Sequence, residues 1–345
     1  MTYKFMVRGY NPPEDDDVQW GIVGEDGAIG YASGSSPTSW TGYRSPNGSN
    51  SNDHTDIGYG KDGSGNGRWV RTTSNNNLEL AYSNDITATG SWTSVNVTGR
   101  RYNVKWSNDK WVAVGTMSQD NILTSTDGAT WSSVDISGLT DLSETDVHSL
   151  ATDGGNNWIF GQDDRVYASN DHGVNWFLLK DFNDSSNIRE AAYSNSKWYV
   201  MRTDVGGSNA GEKVGVASSV SSGSWTDSAD LNIGDNATGM FASISTGSAS
   251  QSTVIVVNSD DMSRSTDSGA TFTRTLNCLP FGSAKGIVSD GAGNWVVVHN
   301  GGDVSYSNDD GETWNTGVEN LSFVFPGFTS TEAIKSVAPN KVLPL

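Results

Sequence analysis

The chain has 345 residues, with 40 acidic against 21 basic side chains, a formal charge of −19 and 34% hydrophobic content. This charge argues against binding nucleic acid or anionic membranes by bulk electrostatics, and so little apolar material argues against one large conventional core. A single cysteine, Cys278, excludes an internal disulfide.

The opening stretch MTYKFMVRGYNPPEDDD lacks the apolar run of a signal peptide, and no later stretch approaches transmembrane length. The expectation is a soluble protein without membrane insertion, either intracellular or released without a cleaved signal. Along the chain, one slot recurs: SGSSPTSW ending at Trp40, SNDITATGSW at Trp92, STDGATW at Trp131, SNDHGVNW at Trp176, SSVSSGSW at Trp225, STDSGATF at Phe272 and SNDDGETW at Trp314. The terminal aromatics are 52, 39, 45, 49, 47 and 42 residues apart, a period that fits a four-stranded propeller blade. The reading is one all-β domain over residues 1–345, a seven-bladed β-propeller. Its blades are placed at residues 1–45, 55–98, 101–137, 146–182, 188–230, 239–277 and 284–319, with 320–345 as a closing strand, a contact arm or both.

Each unit parses into four strands. Blade three reads YNVKWSND, KWVAVG, NILTSTDG and TWSSVDI; blade four reads HSLATDGG, NNWIFGQD, DRVYASND and NWFLLKDF. Alternation within these runs supports twisted antiparallel sheets, and no segment shows a helical period. Two segments compete for the innermost slot of blade one, residues 3–10 and residues 333–338. The small residues of the second favour it, which leaves Ala338 to Leu345 as a possible docking arm.

Four copies of the slot are complete: Ser125, Asp127, Gly128 and Trp131; Ser169, Asp171, Gly173 and Trp176; Ser265, Asp267, Gly269 and Phe272; Ser307, Asp309, Gly311 and Trp314. Aspartate suits such a turn because its carboxylate accepts backbone N–H groups a few residues on. Glycine takes positive φ without a Cβ clash, and the closing aromatic can bury a large face beneath the turn. The motif resembles the Asp-box, or BNR repeat, at the turns between the third and fourth strands. The resemblance implies the propeller fold for nearly the whole chain. It does not fix a function, since the family includes sialidases, xyloglucan-cleaving enzymes, sorting receptors, a photosystem assembly factor and viral tail proteins.

Conspicuous residues also have plain architectural readings. Trp20, Trp69, Trp111, Trp158, Trp198 and Trp295 recur at second strands, and six more tryptophans close the slots; only Trp106 falls outside both sets. Asp62, Ser64 and Asn66 have the alternate spacing of a calcium loop, but the distal glutamate is missing, and a hairpin turn is the better reading. His54, His148, His172 and His299 have no metal-ligand spacing. A sialidase resemblance would require three converging arginines, a Tyr–Glu pair and an acid–base Asp; the N-terminal arginine motif is absent and the arginines are scattered. No cofactor, metal or catalytic residue is assigned, and the expectation is a non-enzyme.

One asymmetry concerns the loops between second and third strands. They carry Glu25, Asp26, Asn75, Asn77, Gln119, Asn121, Asp163, Asp164, Asp260, Asp261 and Asp303, and share a face with residues 44–55, 139–146 and 203–213. Solvated turn chemistry explains them; a binding face is the sharper alternative. Eroded Asp-boxes, a Ser/Asn/Gly-rich composition and the lack of a catalytic set resemble propellers of phage virions. The expected function is a non-enzymatic structural or recognition component of a tail, fibre or surface appendage, located in the virion. Its partners would be other virion proteins or a host receptor, in a homo-oligomer or other symmetric assembly, and not nucleic acid. The alternatives are a glycan-binding or glycosidase-type propeller and a cytoplasmic assembly factor.

Overall fold

The computed structural model describes residues 19–44, 53–73, 79–88, 90–97, 99–116, 122–139, 142, 147, 149–203, 211–221, 223–229, 231, 242–246, 252–319, 321 and 334–340. Over these residues the chain forms seven four-stranded antiparallel sheets. The inner strands are Ile334–Pro339, His54–Lys61, Arg101–Ser107, Ala151–Thr152, Asn187–Ser194, Ala242–Thr246 and Ala284–Ser289. Each inner strand contacts the next, and the last contacts the first, so the sheets close into a ring. The one helical element described is a 3-10 turn, Glu25–Gly27. No helix among the described residues is long and apolar enough to cross a membrane.

Blade one takes its inner strand from the C-terminal part of the chain. Ile334–Pro339 pairs antiparallel with Gln19–Gly24, bringing Ile22 opposite Val337 and Gly21 opposite Ala338. The strand therefore runs past Ala338 to Pro339, which removes both residues from any free arm; Ala338 is buried against blade two. The competing residues 3–10, and the arm residues 341–345, lie outside the described residues. In blade four the expected HSLATDGG strand shrinks to Ala151–Thr152, because Asp153 starts the turn and binds the N–H of Gly155.

The core is divided among the blade interfaces. Seven apolar clusters of described residues lie one between each adjacent pair of blades. The second strands supply most of each cluster, and their side chains alternate between the two neighbours. In Trp158–Gln162, for example, Trp158 and Phe160 face blade three while Ile159 faces blade five. Trp20, Trp69, Trp111, Trp158, Trp198 and Trp295 each insert toward the preceding blade and are at most 3% exposed. Blade six has Val254 in that position. Thin blades are thus held by stacked apolar faces, each worth about 25 cal/mol per Å² of apolar surface removed from water.

Trp106 is also a packing residue. It lies on the inner strand of blade three and covers Gly60 of blade two so closely that a Cβ there would stand 2.2 Å from its Cγ.

Candidate interaction faces and the inner rim

The four complete Ser-x-Asp turns share one hydrogen-bond scheme. Each serine ends its third strand, at Ile122–Ser125, Arg165–Ser169, Asp261–Ser265 and Val304–Ser307. Its hydroxyl donates to the aspartate, at 2.9 Å for Ser125 to Asp127 and for Ser169 to Asp171, and at 2.7 Å for Ser265 to Asp267 and for Ser307 to Asp309. The same hydroxyl accepts the N–H of Gly128, Gly173, Gly269 or Gly311 at 2.8–2.9 Å. These glycines sit at φ between 70° and 79°, where a side chain would be strained. The aspartate then accepts a backbone N–H farther on, from Thr130, Asn175, Thr271 or Thr313.

These bonds set the carboxyl acidity. Partial burial works against the charged form of Asp267, but bonds from the Thr271 side chain and backbone and from Ser265 outweigh it and hold the carboxyl at about 2. Asp127, Asp171 and Asp309 are lowered in the same way, against a similar burial effect. Such low, fully engaged carboxylates are poor general acids at neutral pH.

The closing aromatics are less uniform than their spacing suggests. Trp40, Trp92 and Trp176 are buried, whereas Trp131, Trp225, Phe272 and Trp314 are only half-buried. The outer strands are short and lie at the rim of the ring, so an aromatic there can be covered on one side only. Trp131 and Trp176 donate their indole N–H to the carbonyl of the motif glycine, at 3.1 and 2.9 Å. Trp92 instead donates to Tyr43 of blade one at 2.7 Å.

The residues between the motif positions reach the neighbouring blade. Lys197 and Asn195 of blade five bond the backbone and hydroxyl of Ser268 in blade six. In blade seven, Asp310 accepts the Trp295 indole N–H at 3.2 Å and binds Thr253 and Arg264 of blade six. Arg68 of blade two binds the carbonyl of Asp127 in blade three. At these three junctions the turns of this face are tied to the neighbouring blade.

Inner hairpin turns of three blades follow a second scheme. The carboxylates of Asp62, Asp153 and Asp290 accept backbone N–H groups inside the turn, and each also accepts the side-chain amide of Asn66, Asn157 or Asn294. Asp62 is therefore occupied as a turn cap. Among the described residues no three His, Cys, Asp or Glu side chains are grouped to hold a metal ion.

On the opposite face, loops between second and third strands grip the connections between blades. Asp164 and Asp163 carbonyls accept the N–H of Phe182 and Ile188, the Asp260 carbonyl those of Cys278 and Leu279, and the Gly302 carbonyl that of Leu321. Buried Arg202 binds Asp184 and Asp227, with its guanidinium 3.7 Å from the centre of the Phe182 ring. Asp261 pairs with Arg274 at 2.9 Å. The carboxylates of Asp261 and Asp164 are thus engaged within the fold, Asp164 by the N–H of Asp184 at 3.2 Å, whereas Asp163 and Asp260 hold the connections through their backbone carbonyls. Asn75, Asn77, Gln119 and Asn121 lie outside the described residues.

Charge is sorted by element, which the sequence did not announce. The described strands hold 17 basic residues against six acidic ones, a net of +11, in a chain whose total charge is −19. The inner strands alone carry Lys61, Arg101, Lys105, Arg189, Lys285 and Lys335 against Asp56 and Glu190. At the face of the connections, Lys335 pairs with Glu25 at 2.7 Å. Lys285 lies on the adjacent inner strand; burial and then the charge of Lys335 lower its pKa, with Glu25 opposing. Arg189 enters the same end of blade five, and its Nε donates to Thr203 at 3.3 Å. A partly basic inner rim is therefore surrounded by acidic loops. Only assigning each charge to a strand position reveals it.

No family model matches the chain, and no curated protein matches it. Solved structures do. YCF48 from Cyanidioschyzon merolae is similar at 14% identity and a TM-score of 0.57, over 84% of this chain and 94% of that one. YCF48 bound to a D1 peptide is similar at 14% identity and a TM-score of 0.56, over 83% and 92%. A chain of the nidogen/laminin complex is similar at 10% identity and a TM-score of 0.52, over 94% and 98%. At these identities the likeness is one of architecture, and the chain is a seven-bladed β-propeller.

Proposed function

We propose that this protein is a non-enzymatic docking scaffold, a structural or recognition component of a virion, that binds another protein through the face bearing the blade connections. The observation that carries this reading is the basic inner rim of Arg189, Lys285 and Lys335 within an acidic shell. A partner segment entering the rim meets positive charge, while a uniformly acidic surface is kept off by the loops. The motif aspartates support the non-enzymatic part, because their acceptor capacity is used inside the turns. YCF48 with its bound peptide provides a precedent for a propeller of similar build holding a protein segment. The virion assignment rests on the likeness of the eroded repeats to phage propellers, and a cellular assembly factor would use the same face.

A tagged chain, expressed in its source system, tests the reading by co-purification. Recovery in particles, reduced by Lys285→Glu/Lys335→Glu at unchanged melting temperature, is the expected result. Recovery only in a cellular complex would favour the assembly-factor reading. Release of reducing sugar from glycans by the purified chain would favour the glycosidase reading.

A further inference from the structure

Inner strands of blades one, two, three, five and seven carry an extra residue at a common level. In blade seven Ala284 stands opposite His299 and Gly286 opposite Val298, so Lys285 is left out of the ladder. Arg189 is left out in the same way in blade five, between Ile188 and Glu190, and Lys335 in blade one, between Ile334 and Ser336. Each of these bulges faces the same step past the second-strand tryptophan: Met201 and Arg202 after Trp198, Val298 and His299 after Trp295, Val23 and Gly24 after Trp20. In blade three the extra residue is Tyr102, which is buried, and in blade two the shift falls at Thr55 and Asp56.

A bulge re-aims the side chain that it frees from the ladder. The inner strand is hydrogen-bonded on one side only, and its other side borders the channel. Arg189, Lys285 and Lys335 are half-buried there. Edge protection does not require them, because the closed ring already keeps other sheets from the inner edges. The three cations thus mark one arc of the channel mouth, from blade five to blade one, on the face of the blade connections.

Glu25 shows what fits there: its carboxylate reaches from the 3-10 turn of blade one and bonds Lys335 at 2.7 Å. The other described carboxylates at this end of the inner strands are Asp56 and Glu190. Asp56 is spent on the Ser336 hydroxyl and the Val104 N–H, and Glu190 stands in the ladder opposite Met201. Lys285 feels the charge of Lys335 on the adjacent strand, with Glu25 opposing it. Lysine charges set on separate blades suit carboxylates better than phosphates, which favour a converging arginine fork. Farther out on the same face the loops carry Asp163, Asp164, Asp260 and Asp303, which repel a long polyanion but leave room for a short acidic tip with neutral or basic flanks.

We propose that a short acidic tip of the partner protein, bearing Asp or Glu side chains, enters the channel mouth between Lys285, Lys335 and Arg189 and takes Lys335 over from Glu25. The inference rests on the docking face described above and names the chemistry that this face recognises. Carbodiimide, which joins an ammonium to a carboxylate with no spacer, tests it on the native assembly. In the free chain Lys335 should be joined to Glu25; in the assembly Lys285 or Lys335 should be joined to an Asp or Glu of a different protein. Affinity for that protein should fall about tenfold or more in Lys285→Gln/Lys335→Gln and rise in Glu25→Gln, at unchanged melting temperatures. Arg189→Gln, with a smaller loss expected, serves if the double variant does not fold. If a spaced amine reagent joins Lys285 or Lys335 to another protein while carbodiimide joins neither to its carboxylates, the acidic tip is wrong and the docking face stands. Absence of both kinds of link overturns both readings, and an affinity that Glu25→Gln lowers or leaves unchanged overturns the exchange at Lys335.

Discussion

The Asp56 carboxylate accepts the hydroxyl of Ser336 at 2.6 Å, across 280 positions of chain, while its other oxygen accepts the N–H of Val104 at 2.9 Å. One buried side chain thus joins the inner strands of blades one, two and three at the place where the ring closes. Asp56→Ala would leave the Val104 N–H without its acceptor and should cost about 1–3 kcal/mol, while Ser336→Ala, which removes one bond, should cost about 1 kcal/mol. Denaturant unfolding of both single variants and the double variant should show non-additive losses, since the residues share a bond.

Gly60→Ala should destabilise the propeller by about 1–3 kcal/mol through overpacking against Trp106. The Cβ would meet the indole Cγ at 2.2 Å and its Cβ at 2.4 Å. Thermal melts of Gly60→Ala, Trp106→Ala and the pair provide the check. The alanine at residue 60 should cost less once the indole is gone.

Trp176→Ala should cost about 3–5 kcal/mol, the range for truncating a buried aromatic. Trp131→Ala and Trp314→Ala should cost less, because both indoles are half-buried at the rim. Equal losses in denaturant melts would contradict this ranking.

The blade count and the strand order were legible because the closing aromatics and the second-strand tryptophans recur at fixed places. A repeated slot reports a repeated local conformation whatever its neighbours are. How deeply each aromatic is buried was not legible, since Trp131 and Trp176 occupy the same slot, yet Trp176 packs on Phe160 of its own blade with ring centres 5.0 Å apart, where blade three has Ala113. The clamp role of Asp163, Asp164 and Asp260 was hidden for a related reason. Their backbone carbonyls bind residues 18 to 25 positions away, along a connection of no fixed pattern. The basic rim depends on which strand of a blade faces the axis, so Lys285 and Lys335 meant little until Ile334–Pro339 was placed beside Ala284–Ser289.

Acid should weaken the fold in two stages. Burial lowers the His299 imidazole from 6.5 to about 4, with the Gly282 carbonyl opposing, and burial together with Arg71 also holds His54 well below its ordinary value. The unfolded chain takes up these protons first, so their contribution is full above about 6.5 and is lost as pH falls toward 4. The motif aspartates contribute above their ordinary carboxylate value, and that part is lost as pH falls toward about 2, the value at Asp267. Stability measured by denaturant across pH should decline in both windows, and His299→Gln should flatten the upper one. An unchanged upper slope in that variant would contradict the role of His299.

Lysines on the two faces of the ring allow the most direct test of the docking scaffold. Lys180, Lys213, Lys285 and Lys335 lie toward the face of the blade connections, and Lys61, Lys110 and Lys197 toward the face of the Ser-x-Asp turns. Amine cross-linking of the protein in its native assembly, read by mass spectrometry, should join Lys285 and Lys335 to another protein and leave Lys61, Lys110 and Lys197 free of such links. Cross-links to a different protein confined to Lys61, Lys110 and Lys197 would contradict the account.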